Sequence, residues 1–228
     1  MSGPKGIIRK YYDKGPTAIT SNGNYDGSGS PSTAWNSGIQ PGQWLTDLVQ
    51  SDDDTGRIGQ SIAVETLDLR VNITPQPSVV GYQTIRMLLV ADNEQDGAIP
   101  GITEILGPAA TTVATGLMLE CLQPGYFGRF HIIEDKYWKI YSSSTANTFT
   151  ETFNHSLWHD SHHDLKGHRV MWDASDASAI ANARKGHIFL YFLYETTVAS
   201  TGGLPTTTTA NPPVIQYKCR IRFRDTNV

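Results

Sequence analysis

The chain has 228 residues, 39% hydrophobic and 18% charged, with a formal net charge of −4. That length carries one sizeable core, and the composition excludes a disordered chain, which would be more charged and less apolar. The charge is uneven: residues 1–16 hold Lys5, Arg9, Lys10 and Lys14 against Asp13, and residues 218–228 hold Lys218, Arg220, Arg222 and Arg224 against Asp225, a net of +3 at each end and −10 between.

Basic ends on an acidic body suit a face that meets an anion, with nucleic acid the first candidate. Cys121 and Cys219 are too few for a disulfide framework, and Cys219 sits in an apolar row, as a buried free thiol would. The opening MSGPKGIIRK has no apolar core of signal-peptide length, and no run approaches the ~18 apolar residues of a membrane span. The expectation is an intracellular or virion-borne protein without membrane insertion.

Strand-like runs alternate with Gly/Ser/Thr/Pro loops, the pattern of a sandwich or barrel. Residues 1–16 read as a short basic segment containing the first strand (7–12), and 17–228 as one domain. A long connection follows at 21–38, then QWLTDLVQ (43–50), a helical turn or short strand, and the charged turn 51–56. Residues 58–73 predict a long strand, with Ile62, Val64, Leu67, Leu69, Val71 and Ile73 in one apolar row. The spacing of three between Val64 and Leu67 predicts a β-bulge. QTIRMLLVAD (83–92) is nearly all apolar, as a central strand covered on both sides would be. A short helix is expected around 115–122.

RFHIIEDKYWKIY (129–141) reads as two strands, 127–134 and 137–142, around a turn at Glu134–Lys136. Further strands are expected at 165–172 and 187–196, with a low-complexity loop at 196–213. The last strand, 214–225, alternates most cleanly. Ile215, Tyr217, Cys219, Ile221 and Phe223 point one way, and Gln216, Lys218, Arg220, Arg222 and Arg224 the other. The total is eight strands, which fits a two-sheet jelly roll and also allows other sandwiches or a barrel.

Four motifs occur in order: Arg57-Ile58-Gly59 opening a long strand, IRMLLVAD (85–92) ending in aspartate, RFHIIEDK (129–136), and RIRFRD (220–225) closing the chain. Together they resemble the jelly-roll coat proteins of small icosahedral viruses. The likeness is to those of circular single-stranded DNA viruses that encode a replication initiator, and to satellite tobacco necrosis virus and its relatives. The resemblance spans about residues 5–225. It implies an all-β, eight-stranded antiparallel jelly-roll β-sandwich with BIDG and CHEF sheets and long loops. It also implies a structural, non-enzymatic capsid protein that assembles with copies of itself into a small shell around viral, single-stranded nucleic acid. Assembly would occur in the cytoplasm or nucleus of the host, and no residue specifies a receptor. Such capsids often carry an arginine-rich N-terminal arm, whereas only four of the first sixteen residues here are basic.

Strand spacing puts Arg220, Arg222 and Arg224 on one face with Lys218, a row able to neutralise phosphates without reading sequence. The same row would equally serve ion pairs to acidic neighbours across a subunit contact. Lys5, Arg9 and Lys10 are further nucleic-acid candidates. Asp52, Asp53 and Asp54 suit either an interfacial calcium ion or a solvated turn. His155, His159, His162 and His163 lie in HSLWHDSHHD. As a helix, the first three would share a face and, with Asp160 or Asp164, suit zinc. In a loop, the cluster would form surface contacts that charge together and repel below about pH 6.5. No nucleophile elbow, P-loop, dinucleotide turn or paired-cysteine zinc motif is present. The rival functions are a jelly-roll carbohydrate-binding (lectin-like) module and a cupin-like metalloenzyme.

Overall fold

The computed structural model describes residues 9–19, 39, 42–51, 53–75, 80–95, 97–107, 117–123, 128–143, 156–173, 179–198, 206–208 and 212–226. These form ten strands: β1 (Arg9–Ile19), β2 (Gln43–Trp44), β3 (Ser61–Thr74), β4 (Val80–Asp92), β5 (Phe130–Ser143), β6 (Leu157–Trp172), β7 (Ala183–Lys185), β8 (His187–Val198), β9 (Thr206–Thr208) and β10 (Val214–Asp225). One four-residue helix, α1 (Ile102–Ile105), joins them. Of the helix expected at 115–122, residues 117–122 are described, and they form a turn at 117–119 followed by an isolated bridge from Leu122 to Leu106.

Every strand pairing is antiparallel, and two sheets result. One runs β1-β10-β3-β6-β7; the other runs β2-β8-β4-β5, with β9 added to β8. β10 sits inside the first sheet because its alternation serves two environments. Ile215, Tyr217, Cys219, Ile221 and Phe223 are buried in the core between the sheets, while Gln216, Lys218, Arg220 and Arg222 are exposed. β3 contributes Ile62, Val64, Leu67, Leu69, Val71 and Ile73 to the same core. The expected bulge is present: Arg222 pairs with Thr66 and Phe223 with Val64, leaving Glu65 as the extra residue. β6 answers with a break of its own, since Val64 pairs with His168 and Thr66 with Asp164. Lys166 and Gly167 take positive φ (51° and 80°) within that break.

β4 is the central strand of the second sheet and is covered on both faces, as its apolar run predicts. Ile85, Met87, Leu89 and Ala91 face the inter-sheet core. Leu88 and Val90 face a second cluster under Ile102, Ile105, Leu106, Leu117 and Met118. Arg86 pins that cover. It is buried, grips Asp135 through two bonds (3.0 and 2.7 Å), and donates to the carbonyls of Leu117, Met118 and Glu120.

Two sequence expectations are corrected. β5 is one strand paired with β4 along its length, not a hairpin at Glu134–Lys136. That stretch has neither Gly nor Pro, and its carboxylates have partners on both faces: Asp135 with Arg86, Glu134 with two histidines of β6. The irregularity is a register shift at Leu89/Val90, opposite Ile132–Glu134. β6 begins at Leu157, eight residues before its expected start, because both of its faces are polar over 159–164 and no apolar row marks it.

Facing directions give a direct check. Leu69→Ala removes a fully buried side chain and should lower unfolding free energy in urea by about 2–4 kcal/mol. Arg70→Ala, one residue along on the exposed face, should change it by less than about 0.5 kcal/mol. Equal effects would contradict the register.

Candidate functional site

The outer face of the first sheet carries the chemistry. The pleat of β10 projects Lys218, Arg220 and Arg222 outward, each about half exposed (49%, 44% and 48%). Each meets a carboxylate from a neighbouring strand of the same chain. Arg220 holds Asp13 of β1 through two bonds (Nε to Oδ1 2.6 Å, Nη2 to Oδ2 2.7 Å), with Lys218 3.9 Å from the same carboxylate. The Arg220 guanidinium hydrogen-bonded to Asp13 holds that carboxyl below its ordinary pKa, and Arg220 itself is pushed up. Arg222 lies 3.0 Å from Asp68 of β3, which also accepts from His162 of β6 at 2.5 Å. Arg70 faces Asp160 at 3.8 Å, and Arg9 reaches Glu65, the bulge residue, at 3.0 Å. The Tyr11 ring lies 5.2 Å from the Arg220 guanidinium.

These strands enclose a shallow groove of ≈ 480 Å³ along Asp68, Arg70, Asp160, His162, Arg220 and Arg222. A second depression lies beside Arg224, Glu65 and Asp164. The face therefore sets seven cations (Arg9, Arg70, Lys166, Lys218, Arg220, Arg222, Arg224) against five carboxylates (Asp13, Glu65, Asp68, Asp160, Asp164). It is a lattice of alternating charge, not a purely basic strip. The ion pairs expected across a subunit contact are found inside one subunit.

Lys10 is corrected as a nucleic-acid candidate. It is buried, donates to the Gly56 carbonyl at 2.9 Å and lies 3.4 Å from Asp225, so it presents no charge to a polyanion. Lys5, Asp52 and His155 lie outside the described residues. Asp53 closes its turn: Oδ1 accepts from Ser51 Oγ, Thr55 N, Thr55 Oγ1 and Gly56 N. Those donors lower its pKa to about 2 and occupy one of the two oxygens a calcium ion would use. The Asp54 carbonyl accepts from Tyr11 N at 3.2 Å. Among the described residues, no group of three or more His, Cys, Asp or Glu side chains is arranged to hold a metal.

His159, His162 and His163 are neither in a helix nor in a loop but on β6, and this overturns their expected grouping. On β6, spacing of three sends His159 and His162 to opposite faces, whereas spacing of four leaves His159 and His163 together. His159 and His163 point inward, and their Nε2 atoms lie 2.9 and 3.0 Å from the two oxygens of Glu134 on β5. One carboxylate thus ties the two sheets along their shared rim. Ser161 Oγ also meets His163 Nε2, at 3.1 Å. A serine hydrolase needs the imidazole to bridge serine and carboxylate with its two different nitrogens, so this trio lacks that geometry.

Sequence reasoning missed Asp13 and Asp68 and named Asp160 only as a zinc candidate, because their role beside the arginines depends on which distant strands become neighbours. It also missed Glu134, which it assigned to a turn. Asp68, Arg70 and Asn72, alternating with Leu67, Leu69 and Val71, were the available signal for a polar outer face on β3.

No family model matches the chain, and no curated protein does. Among solved structures, it is similar to the 60-mer BFDV capsid protein, with 10% identity, a TM-score of 0.26, and coverage of 96% of this chain and 93% of that chain. It is also similar to VP1 of Trichodysplasia spinulosa-associated polyomavirus, with 9% identity, a TM-score of 0.25, and coverage of 98% and 96%. TM-scores this low do not establish a common chain path, so the strand order rests on this chain's own pairings.

The rim tie is testable by stability. Glu134→Gln removes the charge that two part-buried imidazoles share and should cost about 1–2 kcal/mol in urea unfolding at pH 7. An unchanged midpoint would mean that the tie carries no load.

Proposed function

We propose that this chain is a shell-forming coat protein of jelly-roll architecture, one that packs against copies of itself to enclose a viral genome. The observation that carries this reading is the strand order. Lettering β1, β2, β3, β4, β5, β6, β8 and β10 as B to I gives pairings B-I-D-G in one sheet and C-H-E-F in the other. The short β7 and β9 are additions at the margins. A fold by itself hosts many functions. Further support comes from the long outer edge of β5, which pairs only with β4 among the described strands, and from the charged outer face. Edges and charged faces are what subunit packing uses.

The genome-facing surface in this reading is the outer face of the first sheet. Phosphates there compete with Asp13 and Asp68 for Arg220 and Arg222. Binding is then weak per subunit, sequence-blind and strongly salt-dependent, and the closed shell multiplies it. Modest affinity per site suits a container that must also release its contents.

The test uses purified particles. Electron microscopy should show uniform small spheres, and the R220Q/R222Q/R224Q triple variant should still assemble but hold less nucleic acid. Its polyanion-binding constant should also depend less steeply on salt, by about 2 in the log–log slope. Asp13→Asn should raise nucleic-acid content. A protein that stays single under all salts would overturn the shell. Unchanged absorbance ratios in both variants would overturn the genome-facing assignment alone.

A further inference from the structure

His187 opens β8 and is fully buried. Three elements meet on its ring. Nε2 lies 2.8 Å from the carbonyl of Met171 in β6, which can only accept, so Nε2 carries the proton. Nδ1 is then the acceptor, facing Trp44 Nε1 at 3.1 Å and Thr46 Oγ1 at 3.0 Å. Trp44 and Trp172 pack edge-on against the ring, with centroids at 5.3 and 4.9 Å. Through this one imidazole, the segment that begins at β2 is fastened to both sheets.

The pocket does little for a second ring proton: the Thr46 backbone carbonyl favours it, but this is the smallest of the influences on the ring, and burial outweighs it. Trp44 Nε1–H is a donor only. Thr46 Oγ1 accepts from the Ile188 amide (3.1 Å) and shares the single Trp44 Nε1 hydrogen (3.1 Å) with His187 Nδ1. The charged groups nearby offer no compensation. Arg57, on the same segment, is buried with its guanidinium 4.6 Å over Trp172. His168 of β6 bonds the Gly186 carbonyl at 2.7 Å. Both raise the cost of a positive charge at His187. Asp92, its register partner on β4, has its carboxylate spanned by Arg129 at 3.0 Å through both oxygens.

We propose that His187 is an acid-operated latch: protonating its ring breaks the Trp44 and Thr46 bonds and frees β2 and the described residues after it (45–51 and 53–59) from the end of the sandwich, while the first sheet and the β8-β4-β5 pairing persist. Burial lowers the ring's pKa from 6.5 to about 4. Above pH 6.5 the ring is neutral both latched and released and contributes nothing to the balance. As pH falls below 6.5, the released form takes up the proton first, so the latch weakens progressively until about pH 4. The latch does not depend on shell formation.

Amide hydrogen exchange tests it. The Leu45 amide, bonded to the Ile188 carbonyl, and the Ile188 amide report on the latch, and the Leu69 amide reports on the core. After correction for intrinsic rates, opening at Leu45 should rise roughly 100-fold between pH 7 and pH 4, with little change at Leu69. In His187→Asn, where the carboxamide oxygen accepts without titrating, Leu45 should show a flat profile. The latch is overturned if Leu45 stays protected to pH 4, if Leu69 opens in step with it, or if His187→Asn keeps the wild-type profile. Should that variant not fold, imidazole ¹⁵N shifts of the wild type decide. Ring protonation that coincides with Leu45 opening supports the latch, and a ring that titrates near its ordinary value with Leu45 unchanged overturns it.

Discussion

The register of β10 against β3 is the constraint on which the rest of the structure depends. The two strands place a continuous apolar row between the sheets, from Ile215 to Phe223 and from Ile62 to Ile73. Each such side chain is worth roughly 1.5–3 kcal/mol when buried, against about 0.2–1 kcal/mol for an exposed ion pair. The core therefore sets the register, and the ion pairs follow it. A slip of one residue would turn the arginines inward and the isoleucines outward. The extra residue at Glu65 lets β3 keep its apolar row in phase on both sides of the break.

Within that frame, several charges act as structural locks. Asp92, at the end of the apolar strand β4, is fully buried and held by Arg129, which opens the approach to β5. Arg57 is buried beneath the loop before β3, donating to the carbonyls of Leu48 and Gly59. These are residues of the same short motifs that make the sequence resemble viral coat proteins. Their role here is to fix loops onto the sandwich, which explains why such residues mark a fold more than they mark a site. Removing one partner of a buried pair leaves an uncompensated charge, so these locks specify one arrangement more than they add net stability.

Much of this was legible in the sequence. β10 could be read residue by residue, because one of its faces is wholly apolar and the other wholly polar. β4 announced itself as a covered strand, and the spacing of three in β3 announced its bulge. The strands that escaped were those whose inner faces carry polar groups. β6 turns His159, Ser161 and His163 toward the rim, and β5 turns Glu134 toward them, so neither shows an apolar row there. The acidic partners of the arginine row were invisible for another reason: Asp13 and Arg220 are more than 200 residues apart, and only the sheet order brings them together. His187 was hidden inside GHIFLYFLYET, where strand propensity gives no sign that its ring will be buried against Trp44, Thr46 and Trp172.

On the outer face, Arg220 and Arg222 pair with carboxylates of the same chain. On the function proposed above, this sandwich packs against copies of itself. Sedimentation velocity of the purified chain near neutral pH measures this most directly. The account predicts one sharp, fast boundary of closed particles with little slow material. A single slow boundary at the mass of one chain, unchanged from low to high ionic strength and with rising concentration, would contradict it.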